Sequence, residues 1–221
     1  MVLPIRHAAR LALLALTGCA AQALPQQQPL SPGLLQAAQN YPPIIMGSNV
    51  HPADGAIPLS CPASGARVEQ SGGPTLEFLG ASVSNPDLCH MRIGGQAMDL
   101  WYGIWGASWA GGVESYPALK QIIHGSTGDV SGFDTYARGG LRWHDLVRNE
   151  GIEDISLLGK TYHALKLSHY REGFDNNPYR SLSTVWKDIP TGLTIYGTYQ
   201  HIAGAPQLDG ALTPAAIIPA P

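Results

Sequence analysis

Eight histidines and three cysteines are the side chains in this chain best suited to chemistry, and their spacing decides what is open to them. His163 and His169 lie in the run K-T-Y-H-A-L-K-L-S-H-Y over 160–170. Alternate residues of a strand share a face, so both point the same way. At about 3.3 Å per residue they stand about 20 Å apart, too far to share a metal ion. Either one needs a His or carboxylate from a neighbouring strand before it can act, and Asp188 and His201 are the candidates. A hydrolase would be assembled from His169, Asp188 and His201, whereas the plainer reading makes each histidine a half-buried hydrogen-bonding residue. H-E-x-x-H, G-x-S-x-G, C-x-x-C and G-x-x-x-x-G-K-[ST] do not occur. Gly106-Ala107-Ser108-Trp109-Ala110 sits in a glycine loop and not in a strand-to-helix turn. No catalytic residue is assigned, and neither a metal nor a cofactor is called for.

Aromatic side chains are the other candidates. In M-D-L-W-Y-G-I-W over 98–105, Trp101 and Trp105 fall on one face and Leu100, Tyr102 and Ile104 on the other, so this reads as a central strand covered on both sides. The tryptophans are either core or a ligand platform. With Trp186, Tyr196, His163, His169 and His201 they are the residues able to face a ligand.

The elements that must position them are mostly strands. Over 141–202 the pattern is an antiparallel meander. A first strand at 141–149 competes with a short helix over 145–148. Glu150-Gly151 turns the chain into 152–158, Gly159-Lys160 turns it back into 160–170, and strands follow at 181–187 and 193–202. The segment 173–178 is a loop and 188–192 a turn. Upstream, 65–69 and 75–83 read as paired strands around Ser71-Gly72-Gly73-Pro74. The stretch 115–124 reads as a helix with Ser115 as cap, Pro117 in its first turn, Leu119, Ile122 and Ile123 on one side and Gly125 as stop. The glycine-rich segment 125–140 reads as a long loop, either a flap or the junction between halves at 44–124 and 141–203. The final stretch, 204–221, reads as a disordered tail.

The chain opens on a targeting signal. Arg6, His7 and Arg10 precede the apolar run 11–16, which is too short to span a bilayer. Leu16-Thr17-Gly18-Cys19 resembles the bacterial lipobox, which implies that 1–19 is a signal peptide and that Cys19 carries acyl chains at the mature N-terminus. Ala21-Gln22-Ala23 is also an acceptable site for ordinary signal peptidase, which would discard Cys19. Lipidation would anchor the protein at a membrane surface. By the lipoprotein retention rule, Ala20 after the Cys implies the outer membrane, facing the periplasm. A Pro- and Gln-rich tether fills 20–43, with a short helix over 34–41, and Ile44-Ile45-Met46 begins the β domain. Export brings an oxidising compartment. With Cys19 spent on lipid, Cys61 and Cys89 are left to form a disulfide; Cys89-His90-Met91 suggests a metal only if another ligand arrives from elsewhere.

Composition limits the partners. Hydrophobic residues make up 44% of the 221-residue chain, enough for a sizeable core. Thirteen basic residues stand against 16 acidic ones with no basic run, which argues against nucleic acid. Abundant Gly and Pro favour an all-β fold. The succession G-I-E-D-I-S-L-L-G-K-T-Y-H-A-L-K-L over 151–167, T-V-W-K-D over 184–188 and T-G-L-T-I-Y over 191–196 resembles a pattern in uncharacterised bacterial periplasmic proteins. These resemble the half-barrel of the periplasmic lipoprotein carriers, which implies a curved sheet around an apolar ligand or helix. Such families usually carry Pro-Ala before the hairpin glycine, where this chain has Leu157-Leu158. The expected architecture is therefore mainly β, a curved antiparallel sheet, half-barrel or sandwich with one or two short helices. The expected role is a non-catalytic envelope lipoprotein that binds an apolar ligand or an envelope protein.

Overall fold

The computed structural model describes residues 57–107, 112–136, 142–174, 176–206 and 211–221. The expected leader, Cys19, the tether, the helix over 34–41 and the strand at 44–46 lie outside the described residues.

The fold is mainly β, as the sequence indicates: two antiparallel sheets and one short helix, with no closed barrel among the described residues. The first sheet contains β1 (Arg67–Gln70), β2 (Leu76–Ala81), β3 (Leu88–Ile93), β4 (Gln96–Trp101), β5 (Trp105–Gly106) and β11 (Pro214–Ile218), in the order β11-β1-β2-β3-β4-β5. Helix α1 (Gly112–Ile123) leads to the second sheet, formed by β6 (Val130–Tyr136), β7 (Arg142–Leu157), β8 (Lys160–Gly173), β9 (Arg180–Asp188) and β10 (Thr194–Ala203), in the order β10-β9-β8-β7-β6.

Strand parity divides the second sheet between two cores. Phe133, Val147, Leu165 and Leu167 pack with Ala118, Leu119, Ile122 and Ile123 of α1. Tyr162, Ala164 and Trp186 alternate with them along the strands and pack with Ala66, Val68, Phe78, Met91 and Leu100 of the first sheet and its approach. The strand buried on both faces is therefore β8, not the expected 98–105. That run is broken instead: Tyr102 adopts φ 53°, Gly103 turns the chain, and Trp105 returns directly opposite Trp101. Residues 97 and 99 are exposed, so β4 has one covered face.

Cys61 and Cys89 are disulfide-bonded, joining the segment before β1 to a buried position near the start of β3.

Several boundaries move for physical reasons. The expected turn at Glu150-Gly151 is a bulge within the single strand β7, where Gly151 takes φ 96°. The bulge frees the buried Asn149 side chain to donate to the carbonyls of Ile122 (3.0 Å) and Gly125 (3.2 Å), which satisfies the end of α1. The hairpin turn is Leu158-Gly159, both at positive φ, with Leu157 opposite Lys160. Helix α1 starts before Ser115, so Ser115 and Pro117 sit inside it. The loop expected over 125–140 contains β6, whose alternation sends Phe133 and Thr135 inward.

The tail expected to be disordered contains β11, which pairs with β1, and Leu212, which bridges to Gly197. Ala216, Ile217 and Ile218 supply the β-forming residues, and Pro214 stands at the first position of an edge strand, where a missing donor is tolerated. The two halves are therefore not closed off at 203: the C-terminus returns to the first sheet.

Candidate functional site

At one height across the helix-covered face of the second sheet, the side chains change from apolar to polar. Val147 gives way to Asp145 on β7, Leu167 to His169 and Arg171 on β8, and Val185 to Ser183 and Ser181 on β9. Cross-strand register aligns Val147, His169 and Ser183 in one row and Asp145, Arg171 and Ser181 in the next. Helix α1 covers the apolar part, and the polar rows lie beyond it.

Asp145 is the centre of this region. Its side chain is fully buried, and a buried carboxylate must be paired and hydrogen-bonded to stay charged. Arg171 Nε donates to its Oδ1 at 2.7 Å, the same oxygen meets His169 Nε2 at 2.7 Å, and Thr135 Oγ1 donates to Oδ2. Burial by itself would raise the Asp145 pKa. The bonds and charges of His169 and Arg171 outweigh it and hold the carboxyl below its ordinary value.

Aromatic rings fix the other end of this set. The Arg171 guanidinium lies 5.2 Å from the Trp105 ring centroid and 5.0 Å from that of Trp143. The His169 ring meets Trp105 edge-on at 4.7 Å, and Trp105 meets Phe133 in the same way at 5.1 Å. Trp105 arrives from the first sheet, so both sheets contribute. Hydroxyls continue the polar rows: Tyr179 donates to Ser181 Oγ at 3.0 Å and lies 3.2 Å from the Tyr199 hydroxyl. A carboxylate-oriented imidazole beside a ring-clamped guanidinium can transfer a proton or hold an acceptor-rich group.

The residues expected from the sequence are scattered. His169 and Trp105 belong to this cluster. Trp101 packs on Tyr116 at 4.4 Å, beside α1. His163 is exposed and pairs with Asp154 across the β7–β8 hairpin at 2.8 Å. Trp186 and Tyr196 lie against each other on the opposite face, 5.1 Å between centroids, in the core shared with the first sheet. His201 is exposed and its Nε2 lies 2.9 Å from the Gly204 carbonyl. Asp188 accepts from the backbone N–H and hydroxyl of Thr191 in its own turn. The set His169, Asp188 and His201 is therefore not gathered. The carboxylate serving His169 is Asp145.

Sequence reasoning missed Asp145, Arg171 and Thr135 as partners. The available signal was phase: Asp145 alternates with Trp143 and Val147, and Arg171 with Leu167 and His169, so each charge falls on an apolar face where only a partner can sustain it.

A second buried charge stands apart. Lys187, wholly buried, donates to the Gly192 carbonyl, and its amine is pushed down to about 7 by desolvation, with Asp188 opposing the shift. Among the described residues, no group of three or more His, Cys, Asp or Glu is placed to hold a metal ion. Compared with protein-family models, curated proteins and solved structures, the chain matches none of them.

Proposed function

We propose that the protein is an exported, lipid-anchored component of the cell envelope, tethered through Cys19 and serving as an assembly partner, not a carrier of apolar cargo. The disulfide supports the oxidising compartment, and the lipobox-like Leu16-Thr17-Gly18-Cys19 supports the anchor. The observation that carries the partner reading is the β7–β8 hairpin. Its outer part, 154–157 paired with 160–163 beyond the reach of β6 and β9, is a two-stranded ribbon capped by Leu158, 56% exposed, and Ile152, 46% exposed, stands on β7 just before it. The large apolar side chains of the last strands, which a carrier would turn toward its ligand, are instead packed: Trp186, Leu193 and Ile195 are buried against the first sheet.

The test is a pull-down from envelope extracts with wild type and with Ile152→Ser/Leu158→Ser, combined with lipid analysis of the eluate and mass analysis of the mature N-terminus. A protein partner lost in the double variant, on a chain acylated at Cys19, is the expected result. Copurified lipid with no such partner would favour the carrier, and an unacylated N-terminus would remove the anchor. The Asp145–His169 pair favours one competing reading, an envelope hydrolase. Ester or amide turnover by wild type that disappears in His169→Gln would establish it in place of the binding role.

A further inference from the structure

The structure assigns a binding site for a small oxyanion, a carboxylate or a phosphate, to the cluster formed by Arg171, His169, Trp143 and Trp105. The assignment stands apart from the membrane anchor and from the hairpin.

The cluster has more donors than acceptors. Thr135 Oγ1, His169 Nε2 and Arg171 Nε all converge on the single carboxylate of Asp145. What remains lacks acceptors among the described residues. Among the described residues the two terminal nitrogens of Arg171 make no hydrogen bond, and the indole N–H of Trp143 is buried without a partner. Buried donors left unmade are costly, and a guanidinium is the group whose N–H fork best matches an oxyanion.

The geometry holds that fork ready. Asp145 fixes the Nε edge, and the rings of Trp105 and Trp143 at 5.2 and 5.0 Å hold the guanidinium between them, so that little freedom is lost when a ligand arrives. Arg171 keeps 11% and His169 19% of its side-chain surface in solvent, which leaves the cluster within reach of a small solute but not of a large one.

The experiment titrates the full chain, with Cys61–Cys89 oxidised, with inorganic phosphate and separately with acetate, against chloride at matched ionic strength. Tryptophan fluorescence and calorimetry are the readouts, because Trp105 and Trp143 border the guanidinium. Saturable binding of phosphate or acetate, with Kd on the order of 1 mM or tighter, is expected. The tighter of the two shows whether a phosphate or a carboxylate group is the natural ligand. Arg171→Lys keeps the charge but removes the fork and should weaken binding about tenfold or more. Trp143→Phe keeps a ring beside the guanidinium while removing one donor, and should weaken it about threefold to tenfold. Should Arg171→Lys fail to fold, Trp143→Phe gives the answer. Arg142→Lys, an exposed change outside the cluster, should leave binding unaltered. A response equal to that of chloride, or affinities unchanged in Arg171→Lys and Trp143→Phe, would overturn the assignment.

Discussion

Asp145 shows how much a single buried charge can demand of a sheet. It is satisfied by Arg171, His169 and Thr135 together, so Asp145→Asn leaves a buried guanidinium without its counter-charge and should cost about 3 to 5 kcal/mol in urea unfolding at pH 7. The native carboxyl is held below its ordinary value. The stability it contributes is therefore present above the unfolded carboxyl range and is lost as pH falls through the folded value. Lys187 behaves differently. Its folded amine sits at about 7 and the unfolded amine at 10.5, so the unfolded chain binds more protons between them and stability rises as pH climbs from about 7. Thermal melts from pH 7 to 9 should show this rise, and Lys187→Met, which fills the same volume without a charge, should flatten it. At the hairpin tip Leu158 has φ 53° and an exposed side chain, a conformation that favours Asn or Gly before Gly159. Leu158→Asn should therefore raise stability by about 1 kcal/mol, read as an increased denaturation midpoint with an unchanged slope.

Among the elements, the β7 bulge does two jobs that neither a turn nor a straight strand would do. It keeps β7 continuous past β8, and it turns Asn149 inward to close the last turn of α1. Asn149→Ala would leave the carbonyls of Ile122 and Gly125 buried without their donor. A loss of about 1 to 3 kcal/mol is expected, with amide exchange rising in α1 before it rises in β2 or β3. The β9–β10 turn is constrained in another way. A Cβ on Gly192, at φ 69°, would lie 2.1 Å from the Ser60 carbonyl oxygen, so the turn is seated against the segment that carries Cys61. The segment that carries Cys61 and the β9–β10 turn are thereby in contact.

For the molecule as a whole, the disulfide fixes the segment before β1 to the middle of the first sheet over a sequence separation of 28 residues. Reduction should cost about 3 to 4 kcal/mol in the chain-entropy account, measured as the difference in unfolding free energy between oxidised protein and Cys61→Ser/Cys89→Ser. Much of the fold was legible in the chain itself. The meander strands, the helix with Leu119, Ile122 and Ile123 on its buried side, and the Cys61–Cys89 pairing all depend on local alternation, turn residues and cysteine parity, which are properties of neighbours in sequence. Glycine and proline misled where tertiary pairing overrode them: Gly132 lies inside β6, Gly151 inside β7, and Pro214 begins β11. The site was half legible. His169 stood out by type, whereas Asp145 was not recognised as its partner. Only the register of β7 against β8 set Asp145 opposite Arg171, and only the turn at Tyr102–Gly103 brought Trp105 from the other sheet to cover them. Sequence determined most of the meander, the helix and the staple, because those preferences act over a few residues, while β6 and β11 escaped it. Tertiary structure decided which charges meet, because burying Asp145 is tolerable only where strands distant in the chain deliver its partners.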